Sequence, residues 1–239
     1  MDWHDTLDVA IYEREGMDKN SQKSVWNNEG KDSLHPRLYA LVLGASVSWA
    51  VFLVAAGARM SFDWHYGLGL VLFTFIMSIA GIVIFSNSDK PLTSIVGVSI
   101  LSFFMGLSIG PVIAYYDADV VINALILTLA VTLGMAILGV LLPNVIAKAG
   151  GALLVGLLIL LVGYFAASIL SLFGITAVFG VLDWFSLIIF SMYIWYDWAR
   201  AMKLPKTINN AIDVSGALIV DIVNLFLTLL RIVARSRNG

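Results

Sequence analysis

Apolar positions fall into seven stretches, at approximately residues 37–58, 66–85, 92–116, 119–142, 151–173, 175–198 and 211–233. A helix that crosses a ~30 Å hydrocarbon layer needs ~20 mostly apolar residues, because each adds ~1.5 Å of rise. All seven stretches are long enough, and the connections between them are too short to form another domain. The pattern predicts an all-α membrane protein, a bundle of seven transmembrane helices over residues 36–234. Residues 1–35 are polar and charged, with Trp3, Leu7, Val9, Ile11 and Trp26 scattered rather than periodic. Such a segment cannot bury a core and reads as a flexible or surface-lying tail. Residues 235–239 read as a short basic tail.

Polar positions inside the stretches change the picture from a bundle to a site. The first five spans hold no Asp, Glu, Lys, Arg or His away from their ends, whereas the last two hold Asp183, Asp197, Asp213 and Asp221. A charged carboxylate near mid-membrane costs a few kcal/mol, so it faces the bundle interior or water and marks an ion or proton route. A neutral, hydrogen-bonded acid between helices is the plainer alternative for any single one of them.

Depth can be estimated from the basic loop at 199–210. Asp197 lies six residues from Lys203, ~9 Å along a helix, while Asp213 and Asp221 lie ~4.5 Å and ~16 Å from Asn210. Asp197 falls between the two acids of the last span, and helix tilt allows a pair with either. Asp213 and Asp221 are eight residues apart, a rotation of ~80°, so they do not share quite the same face. Tyr193 precedes Asp197 by one turn and Asn224 follows Asp221 by one, placing a hydrogen-bonding group beside each acid. Two carboxylates brought together in a low-dielectric site cannot both ionise cheaply and titrate as a unit. Their oxygens also suit a hard cation such as calcium. A tight calcium site wants six to eight oxygens, so Asp197 and Asp221 as metal contacts imply weak binding or transit.

Composition agrees with the membrane reading: 60% of residues are hydrophobic and 13% charged, against roughly 45–50% and 25% in soluble domains. With 14 Lys and Arg against 16 Asp and Glu, no basic field exists to hold nucleic acid. The absence of cysteine excludes disulfides, thiolate metal sites and cysteine nucleophiles. His4, His35 and His65 lie in or beside the tail or in an aromatic loop, where they read as membrane-surface anchors rather than metal ligands. Small residues at Gly106 and Gly110 form a close-packing face, and Pro111 after it is expected to kink or open the third helix.

The opening Met1-Asp2-Trp3-His4-Asp5 has no apolar run of signal length after it, so the first span is expected to direct insertion. On a seven-span topology, 10 Lys and Arg lie on the N-terminal side and 4 on the other. The positive-inside rule then puts the N-terminus in the cytoplasm. Arg231, Arg235 and Arg237 are the discordant part, and a re-entrant last segment would move them to the basic side. Its length and apolarity favour a full crossing.

Ser215-Gly216-Ala217-Leu218-Ile219-Val220-Asp221-Ile222-Val223-Asn224-Leu225-Phe226-Leu227 and the following Leu229-Leu230-Arg231-Ile232 resemble the closing signature of the Bax inhibitor (lifeguard, TMBIM) family, bacterial branch. Ile188-Ile189-Phe190-Ser191-Met192-Tyr193-Ile194-Trp195-Tyr196-Asp197 resembles the family's sixth-span ending, and the stretch from Asp89-Lys90-Pro91 to Gly110-Pro111 its third span. The resemblance covers roughly residues 35–234 and is most specific in the last two spans. It implies six helices around a central seventh and a pH-sensitive calcium leak across the endoplasmic reticulum or bacterial plasma membrane. It also implies that Asp197 and Asp221 match the acid pair that senses pH and gates the leak. Relatives lacking the pair are associated with a membrane-bound quality-control protease. Where members have an Arg near the start of the third span, only Lys90 stands here, beside Asp89. Asp183 and Asp213 look additional to the family pattern.

Other classes fit less well. Tyr196-Asp197 matches half of the intramembrane aspartyl protease signature, but no Gly-x-Gly-Asp accompanies it. A retinal protein needs a lysine in the last span, which has none. A proton-coupled transporter and a non-conducting membrane regulator remain as alternatives. The expectation is a non-enzymatic calcium or cation leak of the bacterial inner membrane, without a cofactor. The bilayer, cations and a membrane protease are its expected partners, and nucleic acid is not one.

Overall fold

The computed structural model describes residues 33–62 and 67–238. His4, His65 and nearly all of the expected N-terminal tail lie outside the described residues. Seven long helices are formed: α1 Pro36–Ser61, α2 Leu68–Ser86, α3 Pro91–Ile113, α4 Ala118–Leu141, α5 Gly150–Ser171, α6 Val178–Lys203 and α7 Ile208–Asn238. A single turn, Pro143–Ile146, joins α4 to α5. All seven are long and apolar enough to cross a membrane.

Helix ends follow local chemistry. Pro36 and Pro91 open α1 and α3 at positions where a missing N–H costs nothing. His35 caps α1, its Nδ1 accepting from the Arg37 N–H at 3.3 Å. Pro111 falls in the last turn of α3, which ends shortly after at Ile113. The expected interruption is therefore a helix end, where one lost hydrogen bond is cheapest. α6 and α7 run past the apolar stretches into their charged flanks, because polar residues at a membrane surface are compatible with continued helix. The link between them shrinks to residues 204–207. There Lys206 Nζ donates to the Ala201 and Met202 carbonyls at 2.7 and 2.8 Å and closes the end of α6.

α7 is the central helix. It packs against α6, α1, α4, α3 and α2, while α5 packs on α6 and meets α7 through Tyr164 and Arg231. Half of α7's apolar window is buried in the bundle, against 17–44% for the other six. Ala211, Ile212, Val214, Ser215, Leu218 and Ile219 are buried without a single-stripe pattern, as expected of a helix surrounded on several sides. One apolar cluster, including Tyr39, Leu43, Ala124 and Ile194, packs against Leu218 and Leu225 of α7. Another, including Val54, Phe85, Val98 and Leu101, packs against Ile219 and Val223.

The outward faces are apolar: Ile122, Leu125, Leu129 and Leu133 of α4 and Leu154, Leu158, Leu161 and Phe165 of α5 are all exposed at helical spacing. A face of that kind matches hydrocarbon rather than water. Hydroxyls within the spans bond their own backbone, as with Ser102 to Val98 O and Thr128 to Ala124 O, both at 2.7 Å. The Gly106/Gly110 face packs on α1: a Cβ on Gly106 would collide with the Val54 carbonyl, and one on Gly110 with the Ala58 carbonyl and Ser61 Oγ.

Candidate functional site

The antiparallel α6/α7 hairpin sets the levels of the buried acids. On α7, Asp221, Asn224, Thr228, Arg231 and Arg235 recur at three- and four-residue intervals and form one polar stripe. On α6, Asp183, Ser186, Phe190, Tyr193 and Asp197 recur in the same way. Fourteen residues back from Asp197 along α6 lies Asp183, and fourteen forward from Asp221 along α7 lies Arg235. Antiparallel packing therefore matches each α6 acid with its own α7 partner, at levels ~21 Å apart.

At the inner level the carboxyl groups of Asp197 and Asp221 lie within hydrogen-bonding reach of each other. They are 5% and 7% exposed, so the contact is enclosed by the bundle. Of the two α7 acids that depth left open as partners for Asp197, it is Asp221 that meets it. Tyr193 lies within electrostatic range of both acids. Arg200, exposed one turn beyond Asp197, acts electrostatically on Asp197 and also on Asp213. Asn224 does not donate to Asp221: its Nδ2 turns back to the Val220 carbonyl at 2.9 Å. Lys90 is exposed at the head of α3 and forms no ion pair among the described residues.

At the outer level Asp183 has no exposed surface. Arg231 Nε donates to its Oδ1 at 2.7 Å and Arg235 Nη2 to its Oδ2 at 2.9 Å. The Tyr164 hydroxyl donates to Oδ1 at 2.7 Å, stands 3.0 Å from Ser186 Oγ, and accepts from Arg231 Nη2 at 3.1 Å. Asp183 is thus fully matched within its own cluster and does not join the Asp197/Asp221 pair. Tyr164, Ser186, Arg231 and Arg235 were not singled out from the sequence as its partners. The three-and-four spacing onward from Asp221 was the signal that finds the arginines. Tyr164 comes from a different helix and carries no such signal.

Two cavities lie near the pair. One of about 520 Å³ runs between Arg231, Tyr164, Ser186, Thr228 and Asn224. A second of about 330 Å³ is lined by Thr74, Ser78, Ser108 and Asn224 among apolar side chains. Both reach Asn224, one turn from Asp221, and the second also reaches Val220, but neither is lined by Asp197 or Asp221.

This arrangement, a buried acid pair between the sixth helix and a central seventh, coincides with a match of residues 36–238 to the family model described as inhibitor of apoptosis-promoting Bax1. The chain belongs to the Bax inhibitor family. The match begins at the first residue of α1 and ends at the last of α7, so it takes in the whole described bundle. A search of curated proteins returned no match. Membership of the Bax inhibitor family supports an integral membrane protein with a regulatory or channel-like role in general terms.

Proposed function

We propose that this Bax inhibitor family member is a non-enzymatic cation leak, carrying calcium down its gradient, with permeability set by the protonation of the Asp197/Asp221 pair. The observation that carries this reading is the enclosed contact between the two carboxyl groups, at the joint between central α7 and α6. Two carboxylates in contact at low dielectric hold together while they share a proton and repel when both are ionised. Loss of that proton therefore loosens α6 from α7 at a contact that neither cavity reaches. The polar walls beyond, from Asn224 to Thr228 and Ser186, supply oxygen atoms for a passing cation. In this reading no resident cofactor takes part, and the host is a bacterial inner membrane with the N-terminus in the cytoplasm.

The test is calcium flux into liposomes against pH for the wild type, Asp197→Asn and Asp221→Asn. The wild type is expected to leak with a steep pH dependence and both variants with a flat one. Unaltered pH dependence in both variants ends the sensor assignment. Absence of wild-type flux at every pH transfers the protein to the non-conducting regulators, with a membrane protease as the partner to seek.

A further inference from the structure

At the start of α7, ~12 Å along the helix from Asp221, the structure holds a second group of oxygen atoms, which includes neither Asp197 nor Asp221. Asn209 and Asp213 are one turn apart on α7 and share a face. Asn209 Nδ2 donates to the Ser88 carbonyl at 2.9 Å and to Asp213 Oδ2 at 3.0 Å, which uses both N–H bonds and fixes the orientation of the amide. Two acceptors are then left over. Asn209 Oδ1 and Asp213 Oδ1 are buried atoms that take neither of these hydrogen bonds.

Ser94, with no exposed surface at the head of α3, brings its hydroxyl to the Asp213 carboxyl. Its contacts with the Phe85 and Ser88 carbonyls are both long, at 3.4 Å. With the Ser94 hydroxyl as the one donor at the Asp213 carboxyl beside Asn209, the group still has more acceptors than donors, and Asn209 Oδ1 has none among the described residues. A buried acceptor without a donor calls for an unseen water or ion. Charge favours the ion. Asp213 is acidic, Asp89 adds a second negative charge within range, and the one base acting there is exposed Arg200.

We propose that Asp213 and Asn209, with the neighbouring oxygen of Ser94, form a binding site for a hard cation at the α2–α3 end of the bundle. The donor set is all oxygen, which suits calcium, magnesium or sodium rather than zinc or copper. It is smaller than the six to eight oxygens of a tight calcium site, so water completes the shell and binding is weak. The site does not depend on the leak reading, because binding is measured without flux.

The experiment is equilibrium dialysis of the purified full-length chain in detergent against radioactive calcium, in an Asp197→Asn/Asp221→Asn background that silences the pair. One saturable calcium per chain is expected. Asp213→Asn is expected to weaken it at least tenfold, and Asn209→Asp, which adds a second carboxylate, to tighten it by about tenfold. Where Asp213→Asn fails to fold, the direction of the Asn209→Asp change decides. Repeating both substitutions in the otherwise unaltered chain covers loss of fold in the background variant. Absence of saturable binding, or binding indifferent to residue 209 and residue 213, overturns the proposal. Calcium binding here with no transport in liposomes leaves the site standing and removes only the leak.

Discussion

An aspartate with no exposed surface inside a membrane-spanning helix needs its charge matched, and Asp183 receives two guanidinium groups and a phenol. Removing one member of a buried ion pair costs about 3–5 kcal/mol when the survivor stays buried. Arg231 and Arg235 are 35% and 49% exposed at the side chain and reach toward the interface, which lowers that penalty. Asp183→Asn is accordingly expected to destabilise the protein by about 2 kcal/mol, read from reversible unfolding in mixed detergent micelles. Arg235→Ala should cost under about 1 kcal/mol, since Arg231 still holds the carboxylate. Asp117→Asn, which touches only Arg237 at 3.6 Å with 78% of its side chain exposed, should leave stability unchanged. Equal losses at residues 183 and 117 would contradict the matched-charge account.

At the scale of helices, the α1/α3 seam and the direction of α7 carry the argument. Gly106 faces the backbone of α1 so closely that a methyl group has no room, whereas Gly134 of α4 faces open space. Gly106→Ala is expected to cost about 1–3 kcal/mol through overpacking against Val54, and Gly134→Ala to be neutral or slightly stabilising. The same unfolding measurement checks both.

The three arginines at the end of α7 looked discordant with the positive-inside rule when counted as free charges. Arg231 and Arg235 are held by Asp183, and Arg237 lies against Asp117 and Asp119, so little unpaired positive charge remains there. The expected outcome is a full crossing with the α5–α6 connection outside. The chain has no cysteine, so single replacements report cleanly. Leu172→Cys should react with an impermeant thiol reagent in intact cells, and Ser88→Cys only after permeabilisation. The reverse pattern would invert the topology.

Across the whole molecule, what the sequence made legible follows from where each contact lies. Spans were readable because hydrocarbon imposes the same length and apolarity on every one of them, so α1 to α7 begin and end within a few residues of the apolar stretches. Asp197 and Asp221 stood out as acids in apolar surroundings. Their pairing with each other rather than through Asp213 came from the resemblance of the last two spans and not from depth, which along two tilted helices leaves a turn of slack. The fate of Asp183 depended on Tyr164 from a third helix, a relation that no spacing within one chain segment encodes.

That division of the bundle into levels has an energetic consequence. The Asp197/Asp221 contact and the Asp183 cluster are ~21 Å apart along the α6/α7 hairpin and share no side chain. Substitutions separated by more than ~7–10 Å without a common partner add within about 0.3–0.5 kcal/mol. A double-mutant cycle of Asp183→Asn with Asp221→Asn should therefore close to that margin. Residues in direct contact behave otherwise: once Asp197 is amidated, the change at Asp221 no longer meets a carboxyl, so Asp197→Asn with Asp221→Asn should show a coupling of about 0.5–3 kcal/mol. Strong coupling between residues 183 and 221 would mean that both levels move as one body. The pair could then not open while the outer cluster stays closed, and the leak would need both to release together.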